Sequence, residues 1–518
     1  MELLSDVSFW KLFLTFIVIL IIYFTVKFII RPYLLTRHYE KQGMLTGRFI
    51  PILGYALYTI VGPGNARGDA YYYLKQLRKK NPEARLMVFP YMDGAQIFLG
   101  DTSLYQEFTV NQTKYYTKEP GFAGPFMDMI GQGLIFSEFE KWKRQRKLVS
   151  QAFHFEFIQK NLSVVTDTTK DIISQFPFKG NGPITIRAID EFQKITGDVV
   201  CKIFFGQQVS NKLLFGKPLS QVLADVNIGI INYSMSLPNL IFGPKFQKMG
   251  LRKKDREIMK KVKLFVATLK EMIEGEKEAI ANGMGKSREK SLARLLLEET
   301  DENGSKLSGE EVLHQFTTFF LAGMDTTGHL AGITTYYLCK YPQHKEAIEK
   351  EMDQFIKSEE DLTIENLSKL ELMGNFIKEA LRCNSPAVGM IPRVAAVDHM
   401  LGPYKIRKGT YINTNFYFLS WADERNFKDA NEFKPERWAG AEAPDKKLGN
   451  PFIFTPFSAG ARNCIGQHLA VIEAKIIMWT MIKKFKMSLP PNFELRMMQR
   501  FLLEPEDDIP LIIEPRNA

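Results

Sequence analysis

The sequence predicts an α+β chain that is mainly helical: one large helix-rich domain with small β-sheets, behind an N-terminal transmembrane helix. Three observations predict it. An almost wholly apolar run, Phe9 to Ile30, opens the chain. Short alternating runs, such as Arg85 to Phe89 and Ala95 to Leu99, sit among turn signals in residues 44–120 and read as strands. From about Glu140 onward helical periodicity dominates. At 518 residues and 45% hydrophobic, the chain can bury a sizeable core. Length alone allows roughly two to four domains. No Pro/Gly/Ser-rich linker, low-complexity tract or internal repeat supports a division. The expected organisation is an anchor with its linker over 1–43, spanning at about 9–30, and a single domain over 44–518.

The opening run is long enough to cross hydrocarbon as a helix. Lys11 and Lys27 lie near its ends, where long side chains snorkel to the interface. Glu2 and Asp6 precede it, and Arg31, Arg37, His38 and Lys41 follow. The positive-inside rule places the following domain in the cytosol. A cleaved signal peptide would be shorter and followed by a small-residue cleavage site. With a cytosolic domain, the Asn-x-Ser/Thr triplets at Asn111, Asn161, Asn232, Asn303 and Asn366 stay unmodified. The net charge of +10 suits anionic lipid or an acidic protein partner. No basic stripe interleaved with aromatics points to nucleic acid. The four cysteines, Cys201, Cys339, Cys383 and Cys464, are scattered, which argues against a disulfide scaffold or structural zinc and for a reducing compartment.

Helices are expected at Trp142 to Phe153, Ile186 to Phe205 and, as two charged stretches, within 252–300. Ser308 and Glu311 form a capping box that opens a long apolar helix reaching about Lys340. Residues 343–357 and 364–383 are helical again, 387–413 strand-like, and 414–463 mostly irregular. A helix from Gln467 to Phe485 closes the series.

Phe457 to Gly466 is the most informative stretch: a cysteine just before a helix, with glycines four positions before and two after. A helix N-terminus and backbone N–H groups stabilise a thiolate. Glycines let the backbone wrap the sulfur, and Arg462 adds positive charge. A buried cysteine at a helix start fits these features almost as well. The pattern Phe-x-x-Gly-x-Arg-x-Cys-x-Gly, met at Phe457, Gly460, Arg462, Cys464 and Gly466, resembles the haem-ligand loop of the cytochrome P-450 family. Thiolate-held haem in that family favours O–O cleavage. The resemblance implies the cytochrome P-450 fold, a helix-rich haem domain with small β-sheets. It implies haem b (iron protoporphyrin IX) with Cys464 as the iron ligand, Phe457 beside the sulfur and Arg462 on a propionate.

Further motifs follow in the family's order. Ala322-Gly323-Met324-Asp325-Thr326-Thr327 interrupts the long helix with residues of low helical propensity. By resemblance, Ala322 and Gly323 make room for dioxygen, and Asp325 with Thr326 is the acid–alcohol pair that delivers protons. Glu379 and Arg382 lie three apart on one helix face, as a surface ion pair would. The family instead buries this pair with a third member, here Arg437, as a structural triad. Trp142 and Arg146, at i and i+4, and Arg393 in the strand-like segment correspond to further propionate contacts. The likeness covers the chain from about residue 45 onward. It departs in lacking a proline-rich hinge after the anchor and in carrying Ser420-Trp421 where many relatives have His-Arg.

The resemblance implies a monooxygenase, an iron-binding oxidoreductase that hydroxylates a hydrophobic small molecule with dioxygen. No flavin or nicotinamide fingerprint is present, so electrons come from outside. By resemblance the donor is an NADPH-dependent diflavin reductase in the same endoplasmic reticulum membrane. Lys141, Lys143, Arg144 and Lys147 offer a basic docking face or a solvated helix face. Phe122, Phe126, Met127, Phe316, Phe319, Phe320, Ala387, Val388, Met390, Phe501 and Leu502 are candidates for an apolar pocket lining or for ordinary core. A peroxide isomerase or dehydratase on the same fold, or a haem-binding membrane protein without catalysis, are the alternative functions. The intact acid–alcohol pair argues against both.

Overall fold

The computed structural model describes residues 2–516 apart from 53, 55–56, 58–67, 70, 119–126, 128–130, 154, 179, 181, 207–208, 210–211, 215, 235–248, 284–290, 302–303, 390 and 415–423. Phe122, Phe126, Met390 and Ser420-Trp421 lie outside the described residues.

The backbone is helical from Glu2 to Glu40, in segments Glu2–Thr25, Val26–Ile30 and Arg31–Glu40, the middle one with π geometry. Pro32 explains the π turn. It has no N–H to give to Phe28, and its ring crowds that carbonyl, so the ladder widens just before it. The helix is long and apolar enough to cross a membrane over its first part. Its end is no slack linker. Thr36 and Tyr39 are buried against the domain. The Tyr39 hydroxyl meets Thr410 Oγ1 and accepts the Arg407 N–H at 2.9 Å. Gln42 Oε1 accepts the Lys405 N–H at 2.7 Å.

Beside this helix stands a six-stranded sheet, ordered Leu45–Thr46, Leu86–Tyr91, Gly94–Leu99, Tyr411–Asn413, Arg393–Ala395 and Tyr116–Lys118. The alternating runs form its central hairpin, with Val88 opposite Ile97. One register row crosses the sheet from Ile97 to Ile412, then Arg393, then Lys118. Two cations therefore stand directly opposite each other, an arrangement that is unfavourable unless an anion lies near.

The helical part is built on one long central helix, Gly309–Lys340, whose capping box is formed as expected: Ser308 Oγ accepts the Glu311 N–H at 3.1 Å, and Glu311 Oε2 accepts the Ser308 N–H at 3.0 Å. Ala188–Phe205, Glu371–Asn384 and Gln467–Lys484 pack around it. Ala188–Phe205 begins later than its periodicity suggests. Ile184–Arg187 is a strand paired with Pro510–Pro515, and Asp508 takes the N–H groups of Ile189 and Asp190 that open the helix. The stretch expected helical over 364–383 breaks at Leu370 into Ile364–Lys369 and Glu371–Asn384. There the Lys475 ammonium binds the carbonyls of Leu367 and Leu370 at 2.6 and 3.2 Å. A hairpin, Met497–Gln499 with Leu503–Pro505, brings the C-terminal region back toward the central helix.

Candidate active site

Cys464 ends an irregular loop. Ser458 and Gly460 both have positive φ, at 62° and 69°. Gly460–Arg462 makes one 3-10 turn, and the Cys464 N–H donates to the Phe457 carbonyl at 2.8 Å. A side chain at Gly460 would lie 2.3 Å from the Thr109 carbonyl oxygen, so both the turn and the close approach require glycine there. Of the four cysteines Cys464 alone is exposed. Yet burial pushes its thiol up, with the Gly466 N–H and Arg146 opposing. Protein surrounds the sulfur at a distance while its own surface stays open, as on the wall of an inner cavity. Cys339 and Cys383 are pushed up to about 12 by burial, and burial also raises Cys201 well above the ordinary thiol value.

The helix Phe139–Ala152 approaches this loop. Arg146 donates from both terminal nitrogens to Asn463, to its carbonyl at 2.9 Å and its side-chain oxygen at 2.8 Å. The Arg462 guanidinium lies 3.9 Å from the centre of the Trp142 ring and donates to the Ser137 carbonyl at 2.9 Å. Lys118 Nζ donates to that same carbonyl at 3.2 Å and to the Ile135 carbonyl. Arg393 comes no closer than 3.7 Å to Glu138 Oε1, which accepts the Lys118 N–H at 2.6 Å.

One buried and two half-buried basic groups thus meet one carboxylate. Burial, then repulsion from Arg393 and Arg462, pushes Lys118 down to about 6. Burial and Arg393 push Arg462 down to about 9. Arg393 is lowered by burial as well, and Glu138 is the carboxylate that opposes the shift in all three. Such a cluster fits a group bearing two further carboxylates, and an accessible thiol backed by an N–H donor fits a metal in the same group. Lys118 was not foreseen, because a lone lysine in a short strand carries no sequence signal. Asn463 was missed because it fills an unspecified position of the cysteine-loop pattern.

In the central helix Ala322, Gly323 and Thr326 are partly exposed while Met324, Asp325 and Thr327 are buried, so one edge of this turn faces open space. The Thr326 hydroxyl donates to the Ala322 carbonyl at 2.5 Å. A side chain on Gly323 would meet Val200 Cγ2 at 3.0 Å, which makes this glycine a close-packing position between two helices. Asp325 Oδ1 accepts from Gln193 Nε2 at 3.3 Å. Burial raises its carboxyl to about 6.

Glu379 and Arg382 are wholly buried. Glu379 Oε1 accepts from Arg382 Nη2 at 2.8 Å, Arg437 Nε at 3.0 Å and the Lys434 N–H at 2.8 Å. Oε2 accepts from Arg382 Nε and from Trp438 Nε1, both at 2.9 Å. Trp438 is a fourth member that charge pairing could not reveal. Its ring packs 4.4 Å from that of Phe454, three residues before Phe457.

Other candidates lie elsewhere. Phe316 and Phe320 are core residues, with Phe316 at 4.8 and 4.6 Å from the rings of Phe204 and Phe205. Phe319 packs on Phe153 and Phe204. Met127 lines a cavity of about 510 Å³ with Lys141, Lys270 and His314, and none of the motif residues lines it. Val388 and Leu502 are buried, Ala387 is exposed, and Phe501 packs against the aromatic cluster of the central helix. Arg144 is withdrawn from the basic face, because Asp301 and Glu311 hold it at 2.8 and 2.9 Å.

The chain is 29% identical to cytochrome P450 4V2 of Rattus norvegicus over 75% of its own length and 74% of that protein. It is also 29% identical to a cytokinin hydroxylase of Arabidopsis thaliana, over 75% and 73%. The crystal structure of the cytochrome P450DA heme domain superposes with a TM-score of 0.77 at 23% identity, covering 92% of this chain and 97% of that one. The family model for cytochrome P450 matches residues 47–511, and the chain belongs to the cytochrome P450 family of haem-thiolate monooxygenases.

Proposed function

We propose that Cys464 is the thiolate ligand of haem b and that the protein hydroxylates a hydrophobic small molecule. The observation that carries this reading is the cluster of Lys118, Arg393 and Arg462 beside the accessible Cys464 loop. These cations would hold the two haem propionates, with Trp142 stacked on Arg462, while Arg146 fastens the loop through Asn463. When bound, thiolate-ligated haem supplies dioxygen activation with electrons from a redox partner.

The chain's own residues do the rest. The Gly466 N–H and Arg146 favour the ionised sulfur. Ala322 and Gly323 keep the helix edge low, where a small molecule can approach. Thr326 holds its proton toward the Ala322 carbonyl and can turn it outward. Asp325, raised to about 6, can both hold and give up a proton near neutral pH. Glu379, Arg382 and Arg437 fasten the segment that leads into the cysteine loop.

The anchor, with its cationic flank Arg31, Arg37 and Lys41, supports a cytosolic domain on the endoplasmic reticulum membrane. An NADPH-dependent diflavin reductase fits that setting. The exposed Lys141, Lys143 and Lys147 are the part of the basic face that supports docking it. Absorbance of the reduced, carbon-monoxide-bound holoprotein tests the ligand. A strongly red-shifted Soret band is expected in the wild type and not in Cys464→Ala. Its persistence in the variant would overturn the assignment. Substrate-dependent NADPH consumption with reductase tests the reaction.

A further inference from the structure

Three carbonyls of one turn of the central helix are held by side-chain donors. Thr326 Oγ1 donates to Ala322 at 2.5 Å, Thr196 Oγ1 to Met324 at 2.8 Å, and His329 Nδ1 lies 2.6 Å from the Asp325 carbonyl. A carbonyl only accepts, so Nδ1 carries a proton. The other ring nitrogen, Nε2, lies 3.4 Å from Glu504 Oε2. Burial opposes charge on His329, but Glu504 and Asp325 outweigh it and the net shift is upward. Glu504 is lowered by His329 and Arg500 against its burial. Inside the helix bundle, one ring nitrogen thus faces a carbonyl and the other a carboxylate, a setting that favours the charged ring.

The pair reaches Asp325 from two sides. Its charge lies beside the carboxyl, where burial and Glu504 raise proton affinity and His329 lowers it. Gln193 Nε2, which donates to Asp325 Oδ1, also lies 3.4 Å from His329 Nδ1. Gly328 makes room for this glutamine: a side chain there would stand 2.6 Å from Gln193 Cγ. Glu504 sits on the strand Leu503–Pro505, next to the hairpin turn with Phe501 and Leu502, and Arg500 holds its Oε1 at 2.7 Å. Arg500 also donates to the Glu506 carbonyl, and Glu506 pairs with Arg496. The groups around Asp325 are therefore His329 on its own helix, Gln193 on Ala188–Phe205, and Glu504 with Arg500 on the hairpin.

We propose that His329 and Glu504 are positioning residues for Asp325: the ion pair pins the turn that carries it and keeps a positive charge beside its carboxyl, so that the acid can release its proton near neutral pH. No proton leaves the pair, which acts through geometry and charge. The inference rests on the assignment of Asp325 and Thr326 to proton delivery.

The test uses the full-length holoenzyme with reductase. The infrared band of the protonated Asp325 carboxyl, identified by its loss in Asp325→Asn, gives the titration midpoint directly. Product formed per NADPH consumed, followed against pH, gives the functional profile. Removing the imidazolium in His329→Gln is expected to raise the midpoint by a pH unit or more, a ten-fold gain in proton affinity, and to move the pH profile the same way. Glu504→Gln removes the charge that keeps His329 protonated and also its own smaller upward push on Asp325, so it shifts both readouts in the same direction by a smaller step. It also keeps the measurement available should His329→Gln fail to fold. The double variant should match Glu504→Gln, since both then lack the imidazolium and the Glu504 charge alike. Unmoved midpoints and profiles in variants that retain the thiolate-haem spectrum would overturn the proposal, provided Asp325→Asn loses coupling. Wild-type coupling in Asp325→Asn would instead overturn the assignment of Asp325 itself, and this inference with it.

Discussion

Trp438 Nε1 donates to Glu379 Oε2 at 2.9 Å, so a carboxylate with no exposure to solvent has its second oxygen shared between an arginine and an indole. Each donor is itself tied down. Arg382 binds the carbonyls of Ala430 and Glu432, and Arg437 binds those of Lys428 and Asp429. This one carboxylate thus gathers the carbonyls and donors of residues 428–438, ahead of the cysteine loop.

Removing that carboxylate would leave two buried guanidinium groups without their anion. Glu379→Gln is expected to cost roughly 3–5 kcal/mol, the range for breaking one partner out of a buried pair. Trp438→Phe keeps the packing on Phe454 and loses one hydrogen bond to a charged group, about 1.5–3 kcal/mol. Thermal unfolding of the holoprotein checks both. Equal losses in the two variants would contradict a network centred on Glu379.

Haem affinity should depend on pH through Lys118. Its ammonium is pushed down to about 6 by burial and by Arg393 and Arg462, so above that pH it is mostly neutral in the haem-free protein. A bound propionate restores the charged form and raises the pKa. The proton-linked part of binding is then fully present below about 6 and is lost as pH rises through the raised value. Affinity should fall with increasing pH by up to about ten-fold per unit. Lys118→Met should flatten this dependence, and competitive haem transfer at several pH values measures it.

Much of this site could be read from the sequence, and what escaped has a common cause. Cys464, Thr326, Glu379 and Arg437 stand in short motifs whose likeness to the family's marks them, whereas spacing alone left Glu379 and Arg382 as a surface ion pair. Lys118 faces Arg393 only because two three-residue strands pair antiparallel across 275 residues. Glu504 meets His329 only through a hairpin that returns near the C-terminus. Contacts of that kind leave no periodic trace. The long central helix showed both its capping box and its length. The phenylalanines along it read equally as pocket or core, since periodicity marks a buried face without saying what it is buried against.

Gly460 offers a sharper test of the loop. Alanine there must hold a φ of 69° and bring its Cβ to 2.3 Å from a backbone oxygen that has little freedom to move. Left-handed backbone alone costs about 1–2 kcal/mol in a residue other than glycine. Gly460→Ala should therefore lose haem on mild heating while far-ultraviolet dichroism shows native helix content. Gly449→Ala provides the comparison, because its φ is also positive, at 57°, but no described residue stands within 4 Å of the added carbon. A loss confined to Gly460 identifies the close approach to Thr109, and not the backbone angle, as what the loop requires.

The anchor helix ends inside the domain, and two truncations should separate its roles. Removing residues 2–30 takes away the exposed apolar stretch and keeps Arg31–Glu40 docked on the sheet. Removing 2–43 also takes Tyr39, which is fully buried, and Thr36. Burying a large side chain contributes about 1.5–3 kcal/mol, and the Tyr39 hydroxyl also accepts the Arg407 N–H. The shorter truncation is expected to weaken membrane association while leaving the melting temperature within a degree or two. The longer one should lower melting by about 2 °C for each 2 kcal/mol lost, less steeply than in a small domain because the chain is long. Sedimentation with vesicles reads the first effect and calorimetry of the holoprotein the second. Similar melting in the two truncations would mean that Arg31–Glu40 merely rests on the sheet, and the hydroxyl of Tyr39 would then be replaceable by Phe without cost.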